Sequence, residues 1–102
     1  MTQILNEQDF EQYVYDAQGK VLVEFFATWC PHCQKMQPLV DQLAEDVAGA
    51  QVYQVDVDQS PDLAAQYAPD GFPCFVLFDN GEKTAQLLGE QSREALAELI
   101  ER

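Results

Sequence analysis

The stretch "KVLVEFFA" (20–27) is almost continuously apolar, and nothing else in the chain constrains the fold as strongly. A strand with one wet face alternates apolar and polar residues, whereas a run without alternation needs cover on both faces, as in the middle of an α/β sheet. The surrounding segments supply that cover. Thr2 to Leu5 reads as a short strand, and Asn6 as the N-cap of a helix with Glu7 and Asp9 in its first turn and Phe10, Tyr13 and Val14 on one face. Gly19 ends that unit. After the apolar run, Met36, Leu39, Val40, Leu43 and Val47 recur at three- and four-residue intervals, which predicts a helix from Cys33 to Val47 with Pro38 inside it, a cause of kinking. "QVYQVDV" (51–57) is the next strand. Ser60 and Pro61 read as N-cap and first-turn proline of a short helix. "CFVLF" (74–78) is a strand that Asn80-Gly81 turns into "EKTAQLL" (82–88) as a hairpin. Gly89 breaks that strand, and Ser92 caps a last helix that buries Leu96, Leu99 and Ile100. The order β-α-β-α-β-α-β-β-α predicts an α/β domain with a mixed, mostly buried sheet.

With 102 residues, 47% of them apolar, the chain suits one domain over residues 1–102 with a core of its own. Its 18 acids against 5 bases give a net charge of −13. That argues against nucleic acid as a partner, since phosphates reward Lys and Arg. "MTQILNEQDF" has neither a basic start nor a signal-like apolar run, and no stretch approaches the roughly 18 apolar residues of a membrane helix. The expectation is a soluble, monomeric, cytoplasmic protein without a membrane partner.

"FATWCPHCQKM" (26–36) carries the chemistry, with Cys30 and Cys33 two residues apart at the junction of strand and helix. Such junctions are where open α/β sheets place their sites. A zinc site would need a second ligand pair. The chain offers only the distant Cys74 and the intervening His32, so no metal is expected. A structural staple across so short a loop would contribute on the order of 2 kcal/mol before strain. A redox pair accounts for more of the residues. Cys30 at a helix start meets unpaired N–H groups and the positive end of the helix dipole, both of which favour thiolate. Cys33, one turn along, is close enough to attack a mixed disulfide formed at Cys30. Pro31 suits a first helical turn, and Trp29 offers a flat apolar wall.

On these residues the chain resembles a thioredoxin from the first strand to the last helix. "FATWCPHC" is similar to the family's tryptophan and CxxC, "DGFPC" (70–74) to its loop before a cis-proline, and "LLGEQS" (87–92) to its glycine-containing substrate loop. Pro38 falls where the family kinks its active-site helix. The resemblance implies a thioredoxin fold, a mixed central sheet flanked by helices on both faces. It implies a disulfide oxidoreductase with Cys30 as nucleophile, Cys33 as resolving thiol and Pro73 as a cis-proline facing them. Trp29, Phe72, Pro73, Cys74, Leu88 and Gly89 would bind disulfide-containing protein substrates, with an extended substrate strand pairing at Phe72. No cofactor would be held beyond the redox-active Cys30–Cys33 disulfide. Electrons would come from a thioredoxin-reductase-like flavoenzyme.

Four features depart from the family pattern. Pro31-His32 stands where ordinary thioredoxins carry Gly-Pro and is similar to periplasmic disulfide oxidases. A protonated His32 would favour the Cys30 thiolate and a more oxidising couple, while a solvated histidine would have little influence. Glu24 occupies the family's buried aspartate position, either as a proton relay to Cys33 or as an acid reaching the sheet edge. Cys74 replaces the threonine after the cis-proline, as a third thiol beside the pair or as a small buried residue. Glu90, with the overall charge, adds negative potential around the site and disfavours acidic partners. The expected function is protein-disulfide reduction by dithiol exchange. The alternatives are an oxidase or isomerase, for whose inserted helical domain 102 residues leave no room, and a cysteine-based metal or iron–sulfur module.

Overall fold

The computed structural model describes residues 2–46 and 49–102, so Val47, read above as part of a helical stripe, lies outside them. The apolar run forms β2 (Lys20–Phe26), the middle strand of a five-stranded sheet. On one side it pairs in parallel with β3 (Ala50–Asp56), which in turn pairs in parallel with β1 (Gln3–Ile4). On its other side it pairs antiparallel with β4 (Cys74–Asp79), and β4 with β5 (Glu82–Leu88). The order β1-β3-β2-β4-β5 is the mixed sheet expected, and β2 is buried along nearly its whole length.

The pleat of β2 splits the core in two. Val21, Val23 and Phe25 face Leu5, Phe10, Val14, Leu63 and Tyr67, which come from the amino-terminal elements and α3 (Pro61–Tyr67). Leu22 faces Met36, Val40 and Leu43 of α2 (Pro31–Asp46) and Leu96, Leu99 and Ile100 of α4 (Arg93–Glu101). Glu24 follows Leu22 at the period of two and therefore points to the α2 side. Pro38 lies inside α2, which begins at Pro31, two residues before the start at Cys33 expected from the sequence.

Two helices differ from the sequence expectation. Asn6 caps α1 (Glu7–Phe10) with a reciprocal bond to Asp9, but the helix then widens into a π-helical segment, Glu11–Tyr15, closed by Asp16 N–H donating to the Glu11 carbonyl at 2.8 Å. The wider turns set Tyr15 edge-on against Phe10, with ring centroids 5.1 Å apart, and bring its hydroxyl 2.6 Å from that of Tyr67. Ser60 does not cap α3. Its hydroxyl is buried without a partner, and its contribution is the backbone carbonyl that accepts from Ala64. Pro61 restricts the backbone of the residue before it, and Ser60 adopts φ −129° and ψ 65°.

The β4–β5 turn is the place where glycine is indispensable. Asn80 and Gly81 both have positive φ, and a Cβ on Gly81 would sit 2.2 Å from the backbone oxygen of Tyr15. Gly81→Ala therefore combines a left-handed backbone with a backbone clash. It is expected to cost more than about 2 kcal/mol in denaturant unfolding, whereas an unchanged midpoint would mean that the turn relaxes freely.

Candidate active site

Cys30 immediately precedes Pro31, the first residue of α2. Its carbonyl accepts from Gln34 N–H at 3.0 Å, and its sulfur accepts from Cys33 N–H at 3.4 Å. Cys30 thus fills the role of a helix N-cap with sulfur in place of the usual oxygen, so negative charge on Sγ would meet an unpaired amide and the positive end of the helix. The thiol in turn donates weakly to the Phe72 carbonyl at 3.9 Å. Cys33 lies one turn further in. Burial pushes its thiol up to about 12, with the hydrogen bond to Cys30 adding to the rise and the Ala27 backbone opposing it. Both cysteines are unbridged.

The Phe72–Pro73 peptide is cis, and Gly89 N–H donates to the Pro73 carbonyl at 2.7 Å, tying the two loops together beside the thiols. Trp29 is 61% exposed and Leu88 49%, which marks them as wall rather than core. Trp29 is fixed on two sides: its ring stands edge-on to Phe72 at 5.5 Å, and its indole N–H donates to Asp58 at 2.8 Å. Phe72 and Gly89 are half-buried, while Pro73 itself is buried.

Cys74 does not join this surface, contrary to the expectation that placed it with the docking residues. Strand alternation turns its side chain inward, where it is 1% exposed and donates to the Tyr67 carbonyl at 3.7 Å. Burial raises its pKa, which marks a packed thiol rather than a reactive one. Among the described residues no three His, Cys, Asp or Glu side chains are grouped to hold a metal ion.

His32, exposed in the first turn of α2, is paired through Nδ1 with Glu90 Oε2 at 2.5 Å. That bond lowers the Glu90 pKa, so the carboxylate expected to add negative potential behind the site instead faces the imidazole directly. The two departures from the family pattern meet across 58 residues of sequence.

Glu24 does not reach the sheet edge. It is 1% exposed, and its pKa is raised to about 7, first by desolvation, with a hydrogen bond from Gln54 opposing and the Asp41 charge adding. The register that sets Glu24 opposite Gln54 brings Gln54 Nε2 to 2.6 Å from Glu24 Oε1, and Oε2 has no partner among the described residues. The Glu24 charge contributes to the raised Cys33 pKa, so the two groups interact. A pocket of about 300 Å³ opens beside Cys33, walled by Phe26, Ala27, Thr28, Gln34 and Gln37.

Asp58, Gln54 and Gln37 escaped the sequence reading. Asp58 carried no signal, being one more acid in an acidic loop. Gln54 carried one: it is polar in a strand otherwise rich in buried apolar residues, and counting register from Glu24 would have found it.

The family described as Thioredoxin matches residues 1–102 in full. Chloroplastic thioredoxin M4 of Arabidopsis thaliana is 38% identical over 99 residues, covering 96% of this chain and 51% of that protein. A thioredoxin of Chlamydia trachomatis is 32% identical over 100 residues, covering 98% and 96%. The chain thus spans about half the length of the first chloroplastic relative and nearly all of the bacterial one. Among solved structures, a mutant thioredoxin from Halobacterium salinarum superposes with a TM-score of 0.87 at 37% identity, over 98% of this chain and 88% of that one.

Proposed function

The chain belongs to the thioredoxin family, and from that premise we propose that it is a thiol–disulfide oxidoreductase working in the reducing direction on protein disulfides. A Cys30 thiolate attacks one sulfur of the substrate, forming a Cys30–substrate mixed disulfide and expelling the other substrate sulfur as thiolate. Cys33 then loses its proton and attacks Cys30 Sγ, which releases the second substrate thiolate and leaves a Cys30–Cys33 disulfide. Two electrons pass from the dithiol to the substrate. Burial keeps Cys33 protonated until a base acts, which separates the two roles. Glu24, with a working range near 7, is the base for that second step. Trp29, Phe72, Leu88 and Gly89 form the wall along which the substrate chain docks.

The observation that carries the reducing direction is the His32–Glu90 pair. The Pro-His dipeptide suggests an oxidase only if its histidine adds positive charge beside Cys30. Here a carboxylate held on the imidazole offsets that charge, so the field at Cys30 stays close to that of an uncharged Gly-Pro loop. Glu90→Gln is therefore expected to shift the dithiol–disulfide equilibrium with glutathione toward the dithiol by roughly two- to fivefold, the scale of an exposed pair. An unchanged or opposite shift would return the oxidase reading. A flavoenzyme of the thioredoxin-reductase kind would regenerate the dithiol, and a reducing cytoplasm suits such a donor. Among the described residues no helix is long and apolar enough to cross a membrane. The direct test is NADPH-driven reduction of a protein disulfide with thioredoxin reductase present. Turnover is expected. Failure to accept electrons, together with disulfide insertion into a reduced substrate by the oxidised protein, would reverse the assignment.

A further inference from the structure

The polar contact on Glu24 does not stop at Gln54. Gln54 and Gln37 face each other as a closed amide pair: Gln54 Nε2 donates to Gln37 Oε1 at 2.9 Å, and Gln37 Nε2 donates to Gln54 Oε1 at 3.1 Å. Each amide has one N–H left, and each spends it on a carboxylate. Gln54 Nε2 donates to Glu24 Oε1 at 2.6 Å, and Gln37 Nε2 donates to Asp41 Oδ1 at 2.9 Å. Asp41 Oδ1 also accepts from Thr2 N–H at 3.0 Å and Thr2 Oγ1 at 2.6 Å. A continuous chain of bonds therefore runs from the amino-terminal segment, through α2 and β3, to the buried carboxyl of β2.

A closed amide pair has only one consistent arrangement once its outer contacts are set. If Gln54 alone turned its amide over, its carbonyl would face Glu24 Oε1 and a second carbonyl on Gln37, and its N–H groups would face those of Gln37. Turning both amides would point carbonyl oxygens at Glu24 and Asp41 together. Asp41, whose pKa is lowered first by the Thr2 hydroxyl, stays ionised and forbids that. From this geometry we infer that Gln37 and Gln54 are positioning residues for Glu24, and that Gln37, anchored by Asp41, locks the Gln54 amide so that its N–H faces the carboxyl. A locked donor favours the ionised, proton-accepting form of Glu24. A free amide would also accept from the neutral form and lose that bias. The inference rests on the assignment of Glu24 as the base for Cys33.

The groups around Glu24 allow the signs to be worked out. From α2 come Cys33, Gln37 and Asp41, and from β3 comes Gln54. Asp56, further along β3, gives its carboxylate to Asp58 N–H at 2.9 Å, and across β4 the register partner is Phe75. Removing the donor or the lock should raise the Glu24 titration midpoint. Removing the Asp41 charge should lower it, since asparagine keeps an oxygen for Gln37 but no longer repels the carboxylate.

The experiment is a carbon-detected NMR titration of the Glu24 carboxyl in the full chain, with Gln37→Met, Gln54→Met and Asp41→Asn. Methionine keeps side-chain length and helix propensity and removes only the amide. Gln54→Met is expected to raise the midpoint by about one pH unit and Gln37→Met by about half a unit, with Asp41→Asn moving it down. The pH profile of mixed-disulfide resolution should move with the titration while the first attack by Cys30 keeps its rate. A folded Gln37→Met whose midpoint stays within about 0.2 units of the parent overturns the inference. Midpoints that shift as expected while the resolution profile stays still would leave the positioning intact and remove the base assignment instead, so the two failures are distinguishable.

Discussion

Cys33→Ser will accumulate a stable mixed disulfide with a protein substrate through Cys30, while Cys30→Ser will accumulate none and its turnover will fall to background. The asymmetry follows from position. Cys30 borders the wall formed by Trp29 and Phe72, and its sulfur takes the Cys33 N–H at the positive end of α2. Cys33 is 2% exposed and held as a thiol by its burial. The first sulfur lies at the start of α2 beside the wall and the second one turn behind it, so the first is expected to lead and the second to release the product. Non-reducing electrophoresis and mass spectrometry of trapped species read the result directly. Equal trapping by both variants would show that either thiol can lead, and the division of roles would be lost. Adding Cys74→Ser to Cys33→Ser should leave the trapped amount unchanged, because the Cys74 thiol lies inside the fold against Tyr67.

Glu24→Gln is expected to act in two opposite directions. A carboxyl raised from its ordinary 4.5 to about 7 binds its proton more tightly in the folded chain than in the unfolded one. Its stabilising share is therefore fully present below about 4.5 and is lost as pH rises through about 7. At about 1.4 kcal/mol per pH unit, that gap amounts to about 3 kcal/mol by pH 8. Gln carries no charge to desolvate and can still accept from Gln54, so the variant should gain about 3 kcal/mol on the parent between pH 4 and pH 8. Comparing the two chains cancels the titration of the other acids, which both share. The cost falls on chemistry. Without a base for Cys33, resolution of the mixed disulfide should slow roughly ten- to a hundredfold while the first attack stays fast. Denaturant unfolding at several pH values checks the first half, and stopped-flow reduction of a model disulfide the second. A parental resolving rate with parental pH dependence would mean that the proton leaves Cys33 by another route.

How much of the molecule was legible in its sequence depended on the range of the signal. The nearly continuous apolar run of β2, the Asn80-Gly81 turn and the Ser92 cap are local, and each appears where the residues put it. Helix α2 begins two residues earlier than the Cys33 start read from the sequence because Pro31 and His32 face solvent, where periodicity is silent. The π-helical turns at Glu11–Tyr15 answer to Tyr67 and Phe10 packing, which no local pattern encodes. The cysteine pair, Trp29 and Glu24 stood out as residue types out of place in their surroundings. What gives them their electrical setting did not. The His32–Glu90 bond joins the first turn of α2 to the loop after β5, and the Glu24–Gln54–Gln37–Asp41 chain needs strand register and helix phase at once. For Cys74 the sequence left two readings, a third thiol on the docking surface or a small buried residue, and only the packing against Tyr67 separates them.

The central claim, a dithiol that donates electrons although its loop reads Pro-His, is tested most directly by the reduction potential of the Cys30–Cys33 couple, measured by equilibration with glutathione buffers. The expected value lies within about 30 mV of the ~−270 mV that is the established reference for thioredoxin. A value near the ~−180 to −120 mV of disulfide isomerases and oxidases would contradict it, because the Glu90 carboxylate would then have failed to offset the histidine beside Cys30.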